Sequence, residues 1–282
     1  MSDFLYQKPP LGVSLDLSNP INRDLVGFWL FNEAGGIKAY DLSGNNYHGT
    51  LTNIANPPTA TSGWNPGKTG IGLRFDGTDD YVDIPYSFVQ SNVVTFEIWF
   101  NTQNASWDIL FGVENAKLPA DPNSYDSIFA IKDTGVLRAE LYTGTLGEIS
   151  TSFSVRDGRW HQAILTGNIN IQSLYVDGNF IGSRSGTLQM DGQGTLTFLG
   201  TGYDITSRGF PSNSWHYFNG FIDNACVYNQ ALSAQEIFQL YLAPYAGLSD
   251  ASLAYNKIGE TTTLFIQQIM QHKFIPPFLG VL

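Results

Sequence analysis

Cysteine, positive charge and long apolar runs are all scarce in this chain. Cys226 is its single cysteine. No internal disulfide can form, and the setting Ala225-Cys226-Val227-Tyr228 marks the thiol as a small buried hydrophobe. Lysine and arginine together number 14 against 25 acids, for a formal net charge of −11. That balance excludes the basic surface with which nonspecific nucleic-acid binding neutralises phosphate. It suits cation binding or plain solubility equally well. No stretch approaches the roughly 20 apolar residues of a membrane-spanning helix, so no membrane partner is expected. Met1-Ser2-Asp3-Phe4 has neither a basic start nor an apolar run, so no secretory leader is expected. Signatures of catalysis are missing too. There is no Gly-x-Ser-x-Gly and no His-x-x-x-His, and His48, His161, His216 and His272 are scattered.

Aromatics make up 14% of the chain, and glycine and proline number 29 and 13, which fits many short strands with a substantial core. The alternation is clearest in Leu73-Arg74-Phe75-Asp76-Gly77-Thr78-Asp79-Asp80-Tyr81-Val82-Asp83-Ile84. Leu73 and Phe75 share one side, as do Val82 and Ile84, the mark of strands with one buried face. Asp76-Gly77 supplies residues that tolerate a tight turn. Further strands are expected at 25–31, 93–101, 127–132, 136–143, 148–155, 160–167, 195–199 and 219–228, with a hairpin at 174–181. Residues 52–70 and 200–219 read as long loops. Ser233-Ala234-Gln235-Glu236 is a capping box that opens a short helix, with Leu232 and Ile237 as its hydrophobic staple. Pro244 stops that helix.

Four segments, in order, resemble laminin-G-like, concanavalin-A-like domains. They are Trp29-Leu30-Phe31-Asn32-Glu33 with Tyr40 to Gly49, Phe75-Asp76-Gly77 with Asp79-Asp80-Tyr81-Val82, Asp157-Gly158-Arg159-Trp160-His161 with Tyr175-Val176-Asp177-Gly178, and Gly220-Phe221-Ile222-Asp223-Asn224 through Ala231-Leu232-Ser233. The resemblance implies an all-β, antiparallel jelly-roll β-sandwich with one short C-terminal helix and extended N- and C-terminal arms. We divide the chain into an arm at 1–24, a sandwich at 25–246 and an apolar tail at 247–282. Sandwich glucanases similar to this fold carry Glu-x-Asp-x-x-Glu, which is absent here. Glycoside hydrolysis needs two carboxylates flanking a bond in a cleft, so no enzyme activity and no catalytic residue are expected.

Many relatives hold one calcium ion at the sandwich rim through hard oxygen ligands. The matching positions are Glu33, Asp41 and Asp223, with Asn32 and Asn45 as added oxygens; Asp79 and Asp80 form a second candidate set. The alternative for all of these is turn capping without metal. Lectin-type sandwiches stack aromatics on sugars, which singles out Trp64, Trp107, Tyr203, Trp215 and Tyr217 in expected loops; the alternative is packing beneath their own loops.

The N-terminal pattern Tyr6-Gln7-Lys8-Pro9-Pro10-Leu11-Gly12 is similar to laminin-G-like proteins encoded by tailed phages. That likeness implies a non-enzymatic virion structural protein, a capsid decoration or a tail or fibre component, assembled in the host cytoplasm. Its partners would be neighbouring copies or other virion proteins. Phe4 and Tyr6 of the arm, with Leu264, Phe265, Ile266, Phe274, Ile275 and Phe278 of the tail, would make the assembly contacts. The alternative function is a carbohydrate-binding adhesion module for host-surface glycan, at a bacterial cell surface or secreted by a non-classical route.

Overall fold

The computed structural model describes residues 7–86, 88, 92–142, 147–188 and 196–249. Phe4, Tyr6 and the tail residues Leu264, Phe265, Ile266, Phe274, Ile275 and Phe278 lie outside the described residues.

Two antiparallel sheets face each other. The first runs, in spatial order, through Asn179–Ser185, Ile171–Val176, His161–Asn168, Val93–Asn101, Asn219–Tyr228, Ile71–Asp76 and Gly63–Pro66. Asn219–Tyr228 is long enough to serve two partners on one edge. Its first half pairs with Ile71–Asp76 and its second half with Leu25–Trp29. The second sheet runs through Ile149–Ser154, Val136–Ala139, Tyr125–Ile131, Asp108–Glu114, Leu196–Leu199, Tyr81–Ile84, Gly49–Thr52 and Lys38–Ala39. Apolar residues recurring with period two put Phe96, Ile98, Phe100, Phe111, Val113, Leu137 and Ala139 between the sheets, as alternating strands require.

The expected strands form, with ends shifted by a few residues. The turn at Asp76-Gly77 carries the chain from the first sheet to the second, since Ile71–Asp76 and Tyr81–Ile84 belong to different sheets. Gly77 has φ +80° there, a conformation that favours glycine. Thr78 N donates to Asp76 Oδ1 at 2.7 Å, and Asp76 N donates to the buried Asp80 Oδ2 at 3.0 Å.

Two expected loops contain strands. Gly63–Pro66 extends the first sheet within 52–70. In 200–219, Thr201–Asp204 pairs with Ser214–Tyr217 as a separate hairpin. That hairpin lies over the outer face of the second sheet and packs Phe210 on Ile109, Ala130 and Trp107. Gly112 makes the close approach possible: a Cβ there would stand 2.7 Å from Thr201 O.

The opposite outer face is covered by the helix Ala234–Leu242, whose capping box is fully formed, and by the end segments. Ile237, Leu240, Tyr245 and Leu248 pack with Val13, Ile21, Phe28, Ile164 and Cys226. Ser14–Leu15 pairs with Leu248–Ser249, so the described part of the arm is bound to the chain's own sandwich. Cys226 is buried there, and burial pushes its thiol pKa well up, which keeps it unreactive. Among the described residues no helix is long and apolar enough to cross a membrane.

Candidate functional site

Beneath the added hairpin lies a layer of charge. Strand Val136–Ala139 and the residues after it send Leu137, Ala139 and Leu141 into the core and Arg138 and Glu140 to the other face. Arg138 is 1% exposed. Its Nη2 donates to Glu140 Oε2 at 3.0 Å, and Glu148 Oε2 and Asp204 Oδ2 each lie 3.6 Å from the guanidinium. Arg208 reaches Asp126 at 3.6 Å and Asp204 at 3.8 Å. Its guanidinium lies 5.3 Å from the Tyr125 ring centre and 6.0 Å from that of Tyr142.

The pocket opens where the edge strands Ile149–Ser154 and Asn179–Ser185 of the two sheets come together. It measures about 240 Å³ and is lined by Arg138, Glu140, Gly147, Glu148, Arg184, Ser207 and Arg208. Arg138 Nε and Arg208 Nη1 are buried and find no hydrogen-bond acceptor among the described residues. Buried donors left without acceptors are costly; the Glu148 Oε2 at 3.6 Å faces Arg138 Nε but is too far for a hydrogen bond. Glu140 is tied on both oxygens, by Arg138 and by Gly147 N at 2.6 Å. Burial raises the Glu148 pKa, but Lys132, Ser150 and Arg138 outweigh it and hold the group below the usual carboxylate value. The acids that favour a proton sit deeper. Burial raises Asp126 to about 7 and Glu114 well above its ordinary value, while Glu114 accepts from Tyr203 N at 2.9 Å.

The aromatics singled out from the sequence separate into three groups. Trp64 is a correction: it is 4% exposed in a strand, and its Nε1 donates to Gly36 O at 3.0 Å. Trp107 packs on Phe210, with ring centres 4.5 Å apart. Tyr203 and Trp215 do come together, at 6.0 Å, but Tyr203 is buried and stands edge-on to Tyr125. Tyr217 lies half-buried on the same hairpin. These rings pack the hairpin onto its sheet, because a hairpin with few hydrogen bonds to its neighbours is held by side-chain burial.

The calcium set does not gather. Asp41 accepts from Phe28 N, Ser43 N, Tyr47 N and Ser43 Oγ at 2.8–3.0 Å, which fills both oxygens with donors and closes its loop. Glu33 Oε1 accepts from Tyr40 N at 2.7 Å. Asp223 takes Lys68 N at 2.6 Å on one oxygen and the Lys8 ammonium at 2.6 Å on the other. With these donors and the Lys8 ammonium in place, the three carboxylates do not form an open metal site. Asn32 and Asn45 present amide nitrogens, not oxygens, to Pro9 O and Val26 O. Asp76, Asp79 and Asp80 bring carboxylate oxygens within 4.8 Å of one another, a rim explained by the turn they cap.

Sequence reasoning passed over Lys8, Arg138, Glu140, Glu148, Arg184 and Arg208. The signal for Arg138 and Glu140 was present: charges alternate with Leu137, Ala139 and Leu141 in an otherwise apolar strand.

Two facing antiparallel sheets with long rim loops define a concanavalin-A-like β-sandwich. A laminin G family model, described as the Concanavalin A-like lectin/glucanases superfamily, matches residues 76–238. The chain belongs to this superfamily. A search of curated protein sequences gives no significant match. Among solved structures, domain 4 of an extracellular arabinanase from Geobacillus stearothermophilus, in complex with arabinotriose, is 20% identical with a TM-score of 0.54. The match covers 77% of this chain and 98% of that one. Trypanosoma rangeli sialidase is 17% identical at a TM-score of 0.54, over 79% of this chain and 33% of that one. The binding domain of Paraclostridial Mosquitocidal Protein 1 is 17% identical at 0.51, over 78% and 52%. At these identities the likeness is one of fold.

Proposed function

We propose that this chain is a non-catalytic glycan-binding module whose site is the pocket at Arg138, Glu140, Glu148, Arg184 and Arg208. The observation that carries the reading is the pocket wall itself, where Arg138, Arg184 and Arg208 interleave with Glu140 and Glu148. Sugar hydroxyls both accept and donate, and a wall of interleaved Arg and Glu offers both roles. A non-catalytic role is supported by Glu148, which Lys132 holds ionised, and by the placing of the proton-favouring acids beneath the hairpin instead of in the pocket wall. The arabinanase domain, whose structure holds arabinotriose, lends the reading a precedent in fold. A glycan array on full-length protein, followed by calorimetry on hits, tests it. The exposed Arg184 replaced by Ala should leave the fold intact and weaken binding about tenfold, the equivalent of one charged hydrogen bond. Undiminished binding in Arg184→Ala, or no glycan bound at all, overturns the assignment.

Display on a virion is the second reading, with the end segments as anchors. It draws on the pairing of Ser14–Leu15 with Leu248–Ser249, which joins the two ends on one face of the sandwich and leaves the pocket free. Light scattering on the full chain and on a version ending at Ser249 separates the cases. Association lost on truncation supports an assembly role for residues 250–282, and monomers in both remove it.

A further inference from the structure

We propose that Lys8 is a built-in cation: its ammonium fills an oxygen cage suited to a divalent metal ion, and by filling it pins the N-terminal segment to the sandwich. The resemblance implies calcium at Glu33, Asp41 and Asp223; Asp41 is taken up by its own loop, and the structure places a lysine against Asp223. Lys8 Nζ donates to Ile71 O and pairs with Asp223 Oδ1 at 2.6 Å, with Asp223 O at 3.1 Å and Phe31 O at 3.4 Å. The Lys8 side chain is 2% exposed and that of Asp223 is 0%.

The cage is assembled from three strand regions distant in sequence. Phe31 ends the segment after Leu25–Trp29 and takes φ +52°, uncommon for a bulky residue. Ile71 opens its strand, and Asp223 lies mid-strand in Asn219–Tyr228. The Glu33 carboxylate also attracts Lys8, and its Oε2 is buried with no hydrogen-bond partner among the described residues. Backbone carbonyls with one or two carboxylates are the ligand chemistry of Ca²⁺, which prefers several oxygens and tolerates irregular geometry. An ammonium brings only three donors to these oxygens and a single charge.

Lys8 and the metal ion therefore exclude each other. With Lys8 in place the sandwich has no use for calcium at this position, and the segment is held where Asn32 Nδ2 donates to Pro9 O at 3.0 Å. With Lys8 withdrawn, the same oxygens form an open cation site. This inference stands apart from the glycan reading, because the cage and the pocket share no residue.

The test compares thermal unfolding of full-length wild type and Lys8→Met after chelation, with and without millimolar CaCl2. Wild type should be indifferent to calcium at this site. Lys8→Met should melt lower without metal and recover by about 4 °C or more with it, and Lys8→Met combined with Asp223→Asn should lose that recovery. An equal calcium response in wild type and Lys8→Met overturns the proposal. Where Lys8→Met does not fold alone, refolding from denaturant in CaCl2 decides: folded protein recovered with calcium supports the cage, and none recovered overturns it.

Discussion

His161 Nδ1 lies 2.7 Å from Asp177 Oδ2, while the other oxygen of the same carboxylate accepts from Gln162 N at 2.8 Å. One aspartate thus joins the start of strand His161–Asn168 to the turn after Ile171–Val176. On its far side the imidazole meets Asp157 Oδ1 at 3.0 Å. Burial disfavours the imidazolium, but Asp177 and Asp157 outweigh it and raise the pKa above the ordinary 6.5. A base raised in the folded state stabilises fully below its unfolded pKa and loses that stabilisation as pH rises through the folded value. Asp157 moves the other way. Burial opposes, but Arg159 N and His161 win and lower it, so its contribution disappears as pH falls through the folded carboxylate value. Stability from this cluster should therefore peak in mild acid and decline above about pH 6.5. His161→Gln should flatten the alkaline side of that profile in urea titrations. An unchanged slope in the variant would show that the imidazole is neutral in the folded protein.

Glu97 offers a titration of opposite cause. Burial raises it to about 7 against an ordinary 4.5, with the Gln162 amide at 2.8 Å working against the rise. The folded state holds this proton to higher pH than the unfolded state does, so stability falls as pH rises from 4.5 towards 7 and levels off above. Glu97→Gln keeps the shape and carries no charge. It should be more stable than wild type above pH 7 by on the order of 3 kcal/mol, since each tenfold change in proton affinity corresponds to about 1.4 kcal/mol, and equal to it near pH 4. Denaturation midpoints at the two pH values check this, and a variant less stable at both would sink it.

Arg138 is a cation that Glu140, Glu148 and Asp204 of the outer layer share. Replacing it with Met fills the space but leaves Glu140 buried without its ion-pair partner and Asp204 with Arg208 alone. Breaking a buried pair from one side costs about 3–5 kcal/mol. The denaturant midpoint of Arg138→Met should drop accordingly, and adding Glu140→Gln should restore part of the loss. No recovery in the double variant would place the cost in packing against Phe210 and not in charge.

Strand faces and the helix cap were legible because each rests on residues close in sequence. Period-two alternation assigns Phe96, Ile98 and Phe100 to the core whatever lies across from them. Ser233 and Glu236 form their capping box within one turn. The hairpin Thr201–Asp204 with Ser214–Tyr217 was not legible, because the sheet face that receives it is itself polar. Glu114 of that face and Asp204 of the hairpin are both buried where apolar alternation would otherwise signal a buried strand. Trp64 was misplaced for a related reason: prolines and glycines around it read as a loop, and its short strand is an edge strand recognised only by its pairing with Leu73.

Periodicity, turn chemistry and capping are local, so the order of residues alone carried the superfamily, the two-faced strands and the short capped helix. Which charges meet was settled only when the chain packed. Lys8 and Asp223 stand 215 residues apart in the chain, and Arg138 meets Asp204 of a separate hairpin. Neither pairing has a local signature. Each exists because the sandwich brings strand ends and edge segments into one dry volume, where a charge must find its partner or remain costly.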